Sequence, residues 1–177
     1  MIIGLAGYAG TGKTTFANFM RKNTTDCVVY SFAYPLKKAC SVFTGYPIEY
    51  FMSRELKSQI LPEYGKTPRQ IMQIFGTECV RDLIHEDLWV INMERAIRKC
   101  PHKHVIIDDV RRENEARLIT ETFGGVVLKL VRDGIEPESD HSSERIDIKD
   151  FTEIHLSDSL IMAEIVATDV ALEYFKE

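Results

Sequence analysis

Apolar residues follow two different periods along this chain. Short runs without polar interruption read as buried strands: Ile2, Ile3 and Leu5, then 27–32, 104–109 (HVIIDD), 126–131 and a weaker run at 152–156. Between them, apolar positions recur at helical spacing. Residues 14–21 carry Phe16, Ala17, Phe19 and Met20, and 89–97 carry Val90, Met93, Ala96 and Ile97. Further helices are predicted over about 35–43, 113–122 and 160–175. Thr67 is a good cap and Pro68 a good first residue for a long helix through Ile71, Ile74 and Phe75. Gly76-Thr77-Glu78 marks a bend or an end before the pattern resumes over 79–84.

Strands alternating with helices predict a three-layer α/β domain. Runs without clean alternation fit a mostly parallel sheet of five strands, covered by helices on both faces. The whole of 1–177 reads as a single domain without internal repeats. Residues 45–66, with Gly45, Pro47, Pro62, Gly65 and a short helical stretch near 53–60, read as a substrate-binding flap or a surface excursion. Residues 133–151 form a polar, turn-rich segment. In such a fold, ligands bind at the carboxyl ends of the strands.

Composition narrows this picture only slightly. The 177 residues are 45% hydrophobic and 28% charged, with 22 basic and 27 acidic residues and a net charge of -5. That balance argues against a broad nucleic-acid surface and leaves room for a locally basic pocket. Cys27, Cys40, Cys79 and Cys100 are not spaced as metal pairs, and the five histidines are scattered. The apolar start MIIGLAG is too short to span a membrane and lacks a basic flank, so cytoplasm is the expected location.

The chemistry begins at GYAGTGKTT. Gly7, Gly12, Lys13 and Thr14 fit G-x-x-x-x-G-K-[ST], between a predicted strand and a predicted helix. Backbone N–H groups of residues 8–14 can converge on phosphate oxygens at the positive end of that helix. Gly10, Thr11, Gly12, Lys13, Thr14 and Thr15 are the candidate nucleotide-binding residues. Lys13 would reach the β- and γ-phosphates of ATP, and Thr14 would offer its hydroxyl to Mg2+. The expected fold is therefore that of a P-loop NTPase.

The second signal is IIDDVRR. An acid ending a buried strand suits the role of holding Mg2+. Asp109 is the leading candidate and Asp108 the alternative, since successive strand residues point in opposite directions. Arg111 and Arg112 follow at once, and guanidinium forks suit the charge-spread phosphoryl in flight. Lys37 sits early in a helix, where the dipole disfavours a cation unless it faces an anion. Arg69 and Arg81 would share a face toward a second substrate's phosphate if their helix continues through Gly76. His141, in SDHSSE, is a candidate phosphate or base contact.

Taken together, these blocks resemble the deoxynucleoside monophosphate kinases of tailed bacteriophages, within the P-loop NMP-kinase superfamily. The resemblance runs through GLAGYAGTGKTTFA, SFAYPLKKA, PRQIMQIFGTECVRD with DLW, IIDDVRRENEA, GGVVLKLVRDG and the HSSE turn. It implies transfer of a phosphoryl group from ATP-Mg2+ to a deoxynucleoside 5'-monophosphate, in the host cytoplasm if the chain is phage-encoded. Lys13 and Thr14 would serve ATP, and Arg132 would lie near its adenine or phosphates. Arg69, Gln73 and Arg81 would bind the monophosphate, with Lys37 near it. Asp109 and Arg111 match the strand-end acid and arginine, Arg112 the start of a short lid, and His141 and Glu144 a family turn. No nucleic acid or membrane partner is implied, and a homodimer is an open option.

The implied chemistry is direct in-line transfer. The acceptor phosphate is largely ionised near neutral pH and needs no strong base. Orientation and charge neutralisation carry the rate, with closure excluding water. One rival is a P-loop kinase for another phosphorylated acceptor such as phosphomevalonate, whose animal kinases share a comparable strand-acid-arginine block. The other is an ATP-dependent switch protein.

Overall fold

The structure is a computed structural model and describes residues 1–136 and 145–175. Its chain forms two compact units. The first comprises Met1–Ser31 with Met93–Glu177, and the second Phe32–Asn92.

The first unit holds a five-stranded sheet of β1 (Ile2–Ala6), β2 (Cys27–Tyr30), β3 (His104–Val110), β4 (Val126–Val131) and β5 (Thr152–His155). The strand order is β2-β3-β1-β4-β5, and every pairing is parallel. All five β1 residues are buried, because this strand lies at the centre with layers above and below. One face packs Ile3, Leu5, Ile106, Leu128 and Leu130 against α1 (Lys13–Lys22) and α7 (Leu160–Tyr174), through Phe16, Met20, Ala167 and Val170. On the other face Gly4 abuts the helix α6 (Glu113–Arg117), which continues in π-helical geometry over Leu118–Thr122. A Cβ on Gly4 would stand 2.6 Å from the Ile119 side chain. Chain connections leave β1 toward β2 on one side and pass over β1 between β3 and β4. In open parallel sheets such a reversal marks the place where ligands bind, here the carboxyl ends of β1 and β3.

The second unit is helical. It contains α2 (Ala33–Thr44), α3 (Glu49–Met52), a 3-10 turn at Leu56–Ser58, α4 (Pro68–Gln73) and the first turns of α5 (Leu88–Arg98). After α4 the backbone stays helical but widens to π geometry over Ile74–Arg81. Its core is Cys40, Phe51, Leu61 and Ile71, with Leu36, Tyr46, Tyr50, Met72 and Phe75 packed around it. Two of those four buried residues, Phe51 and Leu61, come from the irregular-looking 45–66 segment. The helical stretch expected near 53–60 is present as the 3-10 turn at Leu56–Ser58, and a further short helix at Glu49–Met52 brings Phe51 into the core.

Candidate active site

The loop between β1 and α1 follows from its glycines. Gly7 has φ +145, and a Cβ there would stand 2.8 Å from both the Leu130 carbonyl and Thr11 Oγ1. Gly12 has φ +94 as the residue that opens α1, a left-handed value that a side chain would strain. Thr11 is buried at 2% exposure, and its hydroxyl donates to the Tyr8 carbonyl at 2.9 Å. Lys13 Nζ donates to the Gly7 and Tyr8 carbonyls, each at 2.7 Å. The first turn of α1 holds no acid, so nothing there neutralises the helix's positive end.

Arg132 adds a cation to this loop. It follows β4 directly, and its Nη2 lies 3.5 Å from where a Cβ on Gly12 would be. Its Nε is buried without a hydrogen-bond partner. Lysine, arginine and a helix start thus converge on one loop, which is the make-up of a polyphosphate site.

The acid pair sits at an irregularity in β3. Gly4 pairs with Ile107 but Ala6 pairs with Val110, so β3 carries one more residue than β1 across this stretch. Both carboxylates take distinct partners as a result. Asp108 Oδ2 accepts from Thr14 Oγ1 at 2.9 Å, and Asp109 Oδ2 accepts from Ser31 Oγ at 2.6 Å. The acid beside the P-loop threonine is therefore Asp108. Ser31 is not singled out by the sequence, although it directly follows the carboxyl end of β2.

Arg111 and Arg112 form the turn from β3 into α6. Their backbone N–H groups both donate to Glu115 Oε2, at 2.9 and 3.2 Å. Glu115 is only 3% exposed. The residues after the undescribed stretch pass alongside: Asp147 N–H donates to the Arg111 carbonyl at 2.8 Å. Lys149 N–H donates to Glu113 Oε2 at 3.0 Å.

The remaining candidates lie in the second unit. Thr67 and Gln70 close a reciprocal capping box that starts α4, setting Arg69 and Gln73 four apart and adjacent on one face. Gly76 does not end the helix. It packs under Leu36, and its carbonyl accepts from Trp89 Nε1 at 3.0 Å. The widened turns shift the face that a 3.6-residue count assigns to Arg81. Lys37 lies on α2, half-buried. His141 and Glu144 fall outside the described residues.

Among the described residues, no group of three His, Cys, Asp or Glu side chains is placed to hold a metal. The adjacent Thr14 hydroxyl and Asp108 carboxylate instead suit Mg2+, a hard cation that takes few protein oxygens and otherwise binds water and phosphate. The cysteines are all free. Burial pushes the Cys27 thiol up to about 11 and Cys40 up to about 12, so both stay protonated. Among the described residues no helix is long and apolar enough to cross a membrane.

Comparison with known proteins gives the family. Residues 42–164 match the family model of deoxynucleotide monophosphate kinase. A candidate deoxynucleotide monophosphate kinase of Acanthamoeba polyphaga mimivirus is 35% identical over 162 residues, covering 81% of this chain and 80% of its own. The deoxynucleoside-5'-monophosphate kinase of Escherichia phage T5 is 26% identical, covering 69% and 72%. Among solved structures, TT1252 from Thermus thermophilus superposes with a TM-score of 0.52 at 15% identity, over 100% of this chain and 98% of that one. That last likeness concerns the fold alone. The family match and the viral relative together establish that this chain belongs to the deoxynucleotide monophosphate kinase family.

Proposed function

We infer that each residue of the site has a definable part in the family's reaction. That reaction transfers the γ-phosphoryl group of ATP to a deoxynucleoside 5'-monophosphate, giving the diphosphate and ADP. The observation that carries the reading is the convergence of Lys13, Arg132 and the start of α1 on one glycine loop, with Thr14 against Asp108 at its edge.

In this reading the loop N–H groups and Lys13 hold the β- and γ-phosphates. Lys13 exchanges its two carbonyl partners for phosphate oxygens. Arg132 steadies the triphosphate, and Arg111 and Arg112 take up charge on the phosphoryl as it moves. Thr14 and Asp108 would hold Mg2+, which supplies charge neutralisation across the phosphates when bound. This exchanges the ranking of the acid pair: Asp109, the leading candidate on sequence, is assigned with Ser31 to the orientation of the acceptor. Lys37, Arg69, Gln73 and Arg81 serve the acceptor monophosphate. No general base is required, because the acceptor oxygen that attacks is already ionised. We place the reaction in the cytoplasm, where four unpaired thiols stay reduced.

The direct test is ADP release with ATP-Mg2+ and a panel of dGMP, dTMP, dCMP, dAMP, their ribose counterparts and phosphomevalonate, with products identified by mass. A deoxynucleoside diphosphate is expected. Turnover of phosphomevalonate alone would overturn the acceptor assignment.

A further inference from the structure

We propose that Glu115 is a positioning residue for phosphoryl transfer, acting through the Arg111-Arg112 turn. The proposal rests on the reading that these arginines meet the transferring phosphoryl.

Glu115 is a carboxylate taken almost wholly out of water, at 3% exposure. Burial of that kind is costly unless strong donors surround the charge. One of its oxygens, Oε2, receives two successive backbone N–H groups, those of Arg111 and Arg112. Charge-assisted bonds of this kind are shorter and roughly twice as strong as neutral ones. As the third residue of α6, Glu115 also sits in the field of the helix's positive end. A glutamate there ordinarily reaches back to a single N–H, that of the capping residue. Here the residue before the cap is gathered in as well, so both arginine Cα atoms are fixed against one rigid anchor.

The other side of the turn is fixed independently. The Arg111 carbonyl accepts from Asp147 N–H, so both peptide groups of Arg111 are engaged. Glu113, two residues before Glu115, accepts from Lys149 N–H with its own carboxylate. The turn is thus tied both to α6, through Glu115, and to the 145–149 segment, through Asp147. A long arginine side chain adapts at its tip, but its reach is set where the chain is anchored. A misplacement of about 1 Å in a charge-stabilising group can cost about 100-fold in rate.

The test is a double-mutant cycle on the full chain, reading kcat, both KM values and thermal midpoint. Glu115→Gln keeps the shape and an acceptor oxygen but removes the charge. It is expected to lower kcat about tenfold with little change in either KM, consistent with halving the strength of two hydrogen bonds. The same substitution in the Arg111→Ala, Arg112→Ala background should leave kcat within twofold: the backbone N–H donors remain, but the guanidinium groups they position are gone. A purely structural Glu115 would lower activity by the same factor in both backgrounds, in step with the thermal midpoint, and that outcome overturns the proposal. Glu115→Asp serves as the second variant: its shorter carboxylate retains charge, and kcat close to that of Gln or lower is expected because the reach is lost. Full activity in Asp and Gln alike also overturns it. If the arginine double variant itself keeps full kcat, the arginine assignment fails, and this is read separately from Glu115.

Discussion

The two units of this kinase use glycine and charge in opposite ways. In the first, two glycines, Gly7 and Gly125, sit where backbone meets backbone. A Cβ on Gly7 would stand 2.8 Å from the Leu130 carbonyl, and one on Gly125 would stand 2.4 Å from the Ile2 carbonyl. Charged side chains there are pinned to main-chain atoms, as Lys13 is to the Gly7 and Tyr8 carbonyls and Glu115 to two N–H groups. In the second unit, a Cβ on Gly76 would instead meet a side chain, that of Leu36, at 2.6 Å. A phosphate site must present fixed dipoles before its ligand arrives. A surface that selects an acceptor is served by side chains on helices. The contrast predicts steep losses from small changes in the first unit and selective losses in the second.

The largest effect is expected at Lys13. Lys13→Ala should lower kcat by about 10²–10³-fold, the usual cost of one transition-state charge donor, with an unchanged thermal midpoint. Near-normal turnover would break the first half of the comparison. Next comes the acid pair. Asp108→Asn should raise the Mg2+ concentration needed for half-maximal rate by about 10–100-fold. Asp109→Asn should leave that requirement close to wild type and act on the acceptor KM. A Mg2+ titration of both variants decides the order, and the reverse result returns the metal role to Asp109.

That uncertainty on the sequence has a physical origin. The P-loop is legible because its chemistry needs consecutive residues in fixed order. The sheet is legible because buried parallel strands read as unbroken apolar runs. The roles of Asp108 and Asp109 depend on an irregular register between β3 and β1, which strict alternation along HVIIDD does not reveal. Glu115 looks like an ordinary acid in a first helical turn until its oxygen is seen under both arginine N–H groups. In 45–66, Phe51 and Leu61 are ten residues apart with Gly and Pro around them, so no periodicity marks them as core. Arg81 was tied to Arg69 through Gly76, and the helix does continue there, but in wider turns that no 3.6-residue count anticipates.

A smaller and more selective effect is expected in the second unit. Arg81→Ala should raise the acceptor KM about tenfold, the scale of one charge-assisted hydrogen bond, while the KM of ATP stays within twofold. Equal effects on both substrates would erase the proposed division of labour. The glycines sharpen the same contrast through stability. Gly125→Ala forces a Cβ onto a backbone carbonyl and should cost about 3 kcal/mol, at the upper end for overpacking. Gly76→Ala displaces only a leucine methyl and should cost about 1 kcal/mol. Thermal midpoints of the two variants measure the difference, and equal losses would show that Leu36 is as immovable as main chain.

The smallest effect falls on the tyrosine cluster of the second unit. The Tyr46 ring meets Tyr50 edge-on at 5.1 Å, and its hydroxyl donates to the Glu63 carboxylate. That bond holds the Glu63 carboxyl below its ordinary 4.5 and pushes the Tyr46 hydroxyl up to about 12. The signs are opposite and the window follows from both. A depressed carboxyl contributes stability above 4.5 that is lost as pH falls through its lowered value. A raised phenol contributes stability below 10.0 that is lost as pH rises toward 12. Tyr46→Phe keeps the ring and removes the bond. Its thermal midpoint should therefore lie slightly below wild type on a plateau between those limits, and the two proteins should converge in acid and in strong alkali. Both groups are exposed, so solvent screening keeps the gap small. A gap that persists unchanged into acid would remove Glu63 from the account.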